Sequence, residues 1–176
     1  MTQQLRHKKN TGFTMIEVLI SVGIFALILL MIVSVVFWMN YYNSKTKADS
    51  QVQENARRVM EVMAYEIKGA KGVYTSTTTS NQLSLETLHY LPNDETTTYI
   101  DFFLCGSAIC LKKESQNPVT ITSDTVQASS LQFIQITNGT SPSVKINLTL
   151  SNVNPVNDAS HASSVNLTST VALRSY

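Results

Sequence analysis

An α+β fold is what the sequence predicts: a long N-terminal helix, its first half membrane-spanning and its second half amphipathic, packed on a C-terminal antiparallel β-sheet. Three observations carry this expectation. Val18 to Met39 contains no charge and no proline. Further along, Val52, Ala56, Val59, Met63, Ile67 and Ala70 recur at spacings of four, three, four, four and three, which places them on one helical face. From Thr75 onward, Ser-, Thr- and Asn-rich runs alternate apolar with polar residues, and every proline (Pro92, Pro118, Pro142, Pro155) falls in that half.

The apolar run comes first. At ~1.5 Å per residue it forms a helix of roughly 33 Å, which matches the ~30 Å hydrocarbon core of a bilayer. Arg6, His7, Lys8 and Lys9 precede it, and a basic cluster on that flank holds the N-terminus in the cytoplasm, so the C-terminal part is exported. Trp38, Tyr41 and Tyr42 fall where the helix leaves the membrane, at the level amphipathic rings prefer. The run is longer than the apolar core of a secretory signal, and no small-residue cleavage site follows it. Glu17, at the cytoplasmic edge of the run, is the residue that a plain membrane anchor does not explain. A carboxylate at that depth is costly unless it reaches the headgroups or is paired.

Composition removes several function classes. With 13 basic and 12 acidic side chains among 176 residues, the net charge of +1 lacks the positive excess of a nucleic-acid binder. A hydrophobic content of 43% at so low a net charge is the opposite of a disordered chain's signature. Two cysteines, Cys105 and Cys110, are too few for a disulfide scaffold or a four-cysteine zinc site.

The stretch Lys8-Lys9-Asn10-Thr11-Gly12-Phe13-Thr14-Met15-Ile16-Glu17-Val18-Leu19-Ile20 closely resembles the N-terminal signature of type IV prepilins and type II secretion pseudopilins. The shared features are a short basic leader (Arg6, Lys8, Lys9), a glycine, a phenylalanine, a glutamate five places after the glycine, and an unbroken apolar helix. The resemblance implies that a prepilin peptidase cuts between Gly12 and Phe13 and methylates the new amino group of Phe13. It also gives Glu17 a partner: in a filament its carboxylate neutralises the N-terminal ammonium of Phe13 on the neighbouring subunit, amid apolar helices. Unlike many major type IV pilins, this chain has no kinking proline between Phe13 and Tyr90.

On this reading residues 1–12 are a cleaved leader, 13–39 the transmembrane and assembly helix, 40–74 its amphipathic continuation, and 75–176 an exported β-rich domain. The helix is expected from about Phe13 to about Ala70, stopped by Gly69 and Gly72. Lys45, Lys47, Glu54, Arg57, Arg58, Glu61 and Glu66 are expected off its apolar stripe. The Arg57-Arg58 pair does not make a DNA-binding face, because without Arg6, Lys8 and Lys9 the acidic side chains outnumber the basic ones.

Strands are expected at Gln82 to Leu91, Thr97 to Leu104, Ile109 to Lys113, Val119 to Ile121, Ser130 to Thr137, Val144 to Leu150 and Val165 to Leu173, in one antiparallel sheet. Val144, Ile146, Leu148 and Leu150 share a face that covers the helix stripe. Cys105 and Cys110 flank a hairpin bend, and in an exported domain they read as a local disulfide. A redox pair, the rival reading, normally has two intervening residues on a helix.

No catalytic set and no cofactor motif is present. Asn93, Asp94 and Glu95, with Asp101, offer oxygen ligands of the kind that bind calcium in some pseudopilins, but without an EF-hand pattern the expectation is a solvated turn and no metal site. The resemblance therefore implies a structural subunit, not an enzyme. Its partners are the prepilin peptidase and methyltransferase, other pilin or pseudopilin subunits, the inner-membrane assembly platform and the membrane itself, with no nucleic acid. Ala56-Arg57-Arg58-Val59-Met60, Leu131-Gln132-Phe133 and Val171-Ala172-Leu173-Arg174 look like minor subunits of the J or W type, and Glu17 speaks against a K-type tip subunit. The alternative from another class is a monomeric, signal-anchored extracytoplasmic binding or sensor domain.

Overall fold

The computed structural model describes residues 12–91, 93–137, 142–153 and 162–174. Helix α1 spans Met15–Gly69. Strands follow in the order β1 (Ala70–Val73), β2 (Gln82–Thr87), β3 (Thr98–Cys105), β4 (Ala108–Lys113), β5 (Val119–Thr120), β6 (Val126–Ile136), β7 (Ser143–Asn152) and β8 (Ser164–Ala172). All the strand pairings are antiparallel. The chain divides into two compact units, Met1–Tyr42 and Asn43–Tyr176, and α1 contributes to both.

In the first unit every described residue is exposed, including Leu19, Ile24, Leu27, Leu30, Ile32 and Phe37. The helix here is held by local hydrogen bonds alone, because it has no core to bury. Its hydroxyls turn inward on the helix: Ser21 Oγ donates to the Glu17 carbonyl at 2.7 Å, and Ser34 Oγ to the carbonyls of Leu30 at 3.0 Å and Met31 at 2.9 Å. An apolar environment thus meets no unbonded hydroxyl at these positions.

The second unit has one core. The helix stripe Val52, Ala56, Val59, Met63 and Ile67 is fully buried, together with Leu83 and Leu85 of β2, Ile100 and Phe102 of β3, Ile109 of β4 and Val144, Ile146, Leu148 and Leu150 of β7. Full burial of each Leu, Ile or Val contributes ~1.5–3 kcal/mol, so the stripe and the strand faces that cover it dominate the stability of this unit. Arg57 Nε donates to Glu61 Oε1 at 2.8 Å on the solvent face of the helix. That hydrogen bond first, and the charge attraction second, raise the Arg57 pKa.

The strands depart from the single expected sheet. They form two sheets, ordered β1-β2-β3-β4-β5 and β6-β7-β8. The two-residue β5 ends the first sheet, and β6 begins a new one after a turn in which Asn55 Oδ1 of the helix accepts the Ser123 backbone N–H at 3.1 Å. Residues 70–73, which the sequence reading assigns to the helical stretch ending at 74, form β1 instead. Gly69 ends the helix, and Ala70 and Val73 then pair with Thr87 and Leu85 of β2. Strand β6 starts at Val126, ahead of the expected Ser130, because a bulge between Ala128 and Ser130 shifts the register. The bulge moves the buried positions from Val126 and Ala128 to Leu131 and Phe133, which breaks the alternation that marks a strand in sequence.

Candidate processing and assembly site

Gly12, Phe13 and Thr14 are non-helical and exposed, and Phe13 keeps 78% of its surface open. The helix begins directly behind them. The Thr14 carbonyl accepts the backbone N–H groups of Glu17 at 3.1 Å and Val18 at 3.3 Å, so the bond between Gly12 and Phe13 lies just ahead of the first helical turn. Glu17 is exposed and occupies that first turn, where unpaired backbone N–H groups favour a negative side chain. The leader cluster Arg6, Lys8 and Lys9 lies outside the described residues.

Behind Glu17 the helix presents apolar side chains on all sides, and its most apolar window has none of its residues buried. It is long and apolar enough to cross a membrane. The same surface suits a bundle of like helices, in which a carboxylate near one end must find a cation. Trp38 and Tyr42 meet at a tilt, 4.5 Å between ring centroids, with Tyr41 at 6.1 Å from Tyr42, at the far end of the apolar run.

Cys105 and Cys110 are joined by a disulfide across the β3-β4 hairpin, with 5.9 Å between their Cα atoms. Gly106 opens the two-residue loop at φ 69, a left-handed backbone that glycine adopts without strain. The residues weighed for calcium do not converge. Asp101 lies in β3 and accepts from Ser84 Oγ at 2.6 Å, and no group of three His, Cys, Asp or Glu side chains able to hold a metal forms among the described residues.

Glu66 departs from its expected place on the polar face: it is only 4% exposed. It stands three residues after the buried Met63 and four before the buried Ala70, so the stripe is wide enough at this end to take it in. That spacing was visible in the sequence. The loop that covers Glu66, with His89 packed against Gly69 and Tyr90 at φ 63, had no signal there.

Residues 7–33 match a family model described as the prokaryotic N-terminal methylation motif. No curated protein and no solved structure matches the chain. The motif implies processing by a prepilin peptidase and assembly with other pilins. Together with the exposed apolar helix behind it, the match supports a structural subunit of the type IV pilin and pseudopilin kind.

Proposed function

We propose that the chain is a minor pilin or pseudopilin of the J or W type, built into a type IV pilus or a type II secretion pseudopilus. The observation that carries this is the motif match at residues 7–33, laid over the apolar first part of helix α1, whose most apolar window has no buried residue, with a single carboxylate in the helix's first turn. The peptidase cleaves between Gly12 and Phe13 and methylates Phe13, and residues 1–12 are lost with Arg6, Lys8 and Lys9. Before assembly the subunit sits as a single span in the cytoplasmic membrane, with its N-terminus cytoplasmic and its C-terminal domain exported. Residues 13–39 are the transmembrane and assembly segment, 40–74 lead into the exported domain, and 75–176 make up most of it.

During assembly the helix exchanges lipid for neighbouring helices and Glu17 exchanges the headgroup region for the Phe13 ammonium of the next subunit. Apolar packing is similar in the two environments, so it cannot fix the axial position of one helix against another. The charge pair does: a shift of one turn leaves both charges unpaired among apolar side chains. The assembly platform of the inner membrane supplies the extraction step.

The test is the intact mass of the membrane-extracted protein, made with and without a prepilin peptidase. A mass for a chain beginning at Phe13 and carrying one added methyl group is expected with the enzyme. An uncut chain under both conditions would sink the proposal in favour of a signal-anchored binding domain.

A further inference from the structure

Glu66 lies in the last turn of α1, where a carboxylate faces the negative end of the helix dipole. One of its oxygens, Oε1, accepts from Tyr90 Oη at 3.4 Å, long for a hydroxyl donor. The other, Oε2, is buried and has no hydrogen-bond partner among the described residues. The ion pairs in the described residues, Arg57–Glu61 and Lys71–Glu86, do not include Glu66. Burial, an unbonded oxygen and the helix dipole all make the position unfavourable for the fold alone.

The cover over this carboxylate is aromatic. Tyr90 sits at φ 63, a backbone that aromatic residues rarely adopt, and the residue is 53% exposed. His89 meets it edge-on at 6.2 Å between centroids and lies tilted against Tyr65 at 6.4 Å. Lys113 Nζ stands 3.4 Å above the Tyr90 ring centroid, so this ring already draws a cation, but that ammonium leaves the carboxylate unpaired. Tyr65, next to Glu66 on the helix and in ring contact with His89, is exposed.

We propose that this is a recognition site for an arginine side chain of a protein partner. The guanidinium is planar, so it lies against the mutually tilted Tyr65 and His89 rings, and once the Tyr90 side chain swings away its paired N–H groups match the two carboxylate oxygens of Glu66. It turns the Tyr90 hydroxyl aside and replaces one long hydrogen bond with two from a cationic donor. An ammonium could supply the charge but not the flat stacking surface, and an anion would be repelled. The site lies wholly within the Asn43–Tyr176 unit and uses neither the leader nor Glu17, so it stands or falls independently of the filament reading.

The test titrates the full chain in lipid nanodiscs with N-acetyl-arginine methylamide, and in parallel with the neutral isostere N-acetyl-citrulline methylamide. The readout is the ring signals of carbon-labelled tyrosine in NMR, with Tyr65 and Tyr90 assigned by substitution. Arginine should shift the Tyr90 and Tyr65 signals saturably at about millimolar concentration, with citrulline at least tenfold weaker. Glu66→Gln should weaken the arginine response more than tenfold. Should that variant not fold, Tyr90→Phe serves: it keeps the ring, removes the competing hydroxyl, and should bind arginine several-fold more tightly. No response to arginine, an equal response to citrulline, an unchanged response in Glu66→Gln, or no tightening in Tyr90→Phe each overturns the proposal.

Discussion

Glu17 and Glu66 are two carboxylates on one helix with opposite surroundings, one exposed in the first turn and one buried in the last. Glu17 gains from the helix dipole where it stands and becomes costly only when apolar helices close around it. Breaking a buried ion pair by removing one partner costs ~3–5 kcal/mol, so Glu17→Ala should reduce sheared or cross-linked filament to background. Leader removal should be unaffected, because the Gly12–Phe13 bond lies ahead of the helix and does not depend on the carboxylate. Immunoblotting of sheared and membrane fractions with a peptidase present separates the two effects. A Glu17→Ala chain that still enters filaments at the normal level would remove the charge pair from the mechanism. The motif that contains Glu17 was legible in sequence because its signature is local, a glycine, a phenylalanine and a glutamate within a few positions. Glu66 was not, because its burial depends on how far round the helix the sheets reach and on a loop that arrives from residues 88–91.

The β3-β4 hairpin is the element in which backbone and covalent constraints meet. Its disulfide closes a sequence separation of only 5 residues, for which the chain-entropy account gives ~2 kcal/mol, well below the ~4.7 kcal/mol of a long loop. Replacing both cysteines by serine should therefore lower the urea midpoint while leaving one cooperative transition. Loss of the fold altogether would show that the bridge does more than stiffen a hairpin. Gly106→Ala places a Cβ on a residue at φ 69 and should cost ~1–2 kcal/mol by the same measurement. An unchanged midpoint would mean that the turn relaxes to a different backbone. The hairpin and its cysteines were legible in sequence, as was the alternation of Val144, Ile146, Leu148 and Leu150, all fully buried. Strand β1 was not, since Ala70–Val73 is short and has no alternation of its own until β2 lies beside it. The first residues of β6 were hidden by the bulge near Ser129, which changes which parity of residue faces the core.

At the scale of the whole molecule, the sequence shows where apolar faces lie but not which strand hydrogen-bonds to which, because pairing is decided by residues far apart in the chain. Hence one expected sheet became two. Where the buried core lies along the chain has a consequence for stability. Every member of the buried core, from Val52 to Leu173, belongs to the Asn43–Tyr176 unit. The apolar segment ahead of it adds nothing to that core, so its exposed Leu, Ile, Val and Phe side chains are a solubility burden in water and an adhesive surface in a membrane or a filament. A fragment of residues 43–176 should accordingly fold in water without detergent, form the Cys105–Cys110 disulfide and melt in one cooperative transition. Within it, Met63→Ala empties space between the helix stripe and the sheets and should cost ~2–5 kcal/mol, because Met63 is fully buried. Circular dichroism melts of the fragment and the variant measure both effects. A fragment with helical signal but no cooperative melt would mean that the core needs the rest of α1 to fix its first turn. A cooperative melt with the expected loss at Met63 would establish that the residues ahead of position 43 are free to serve assembly alone.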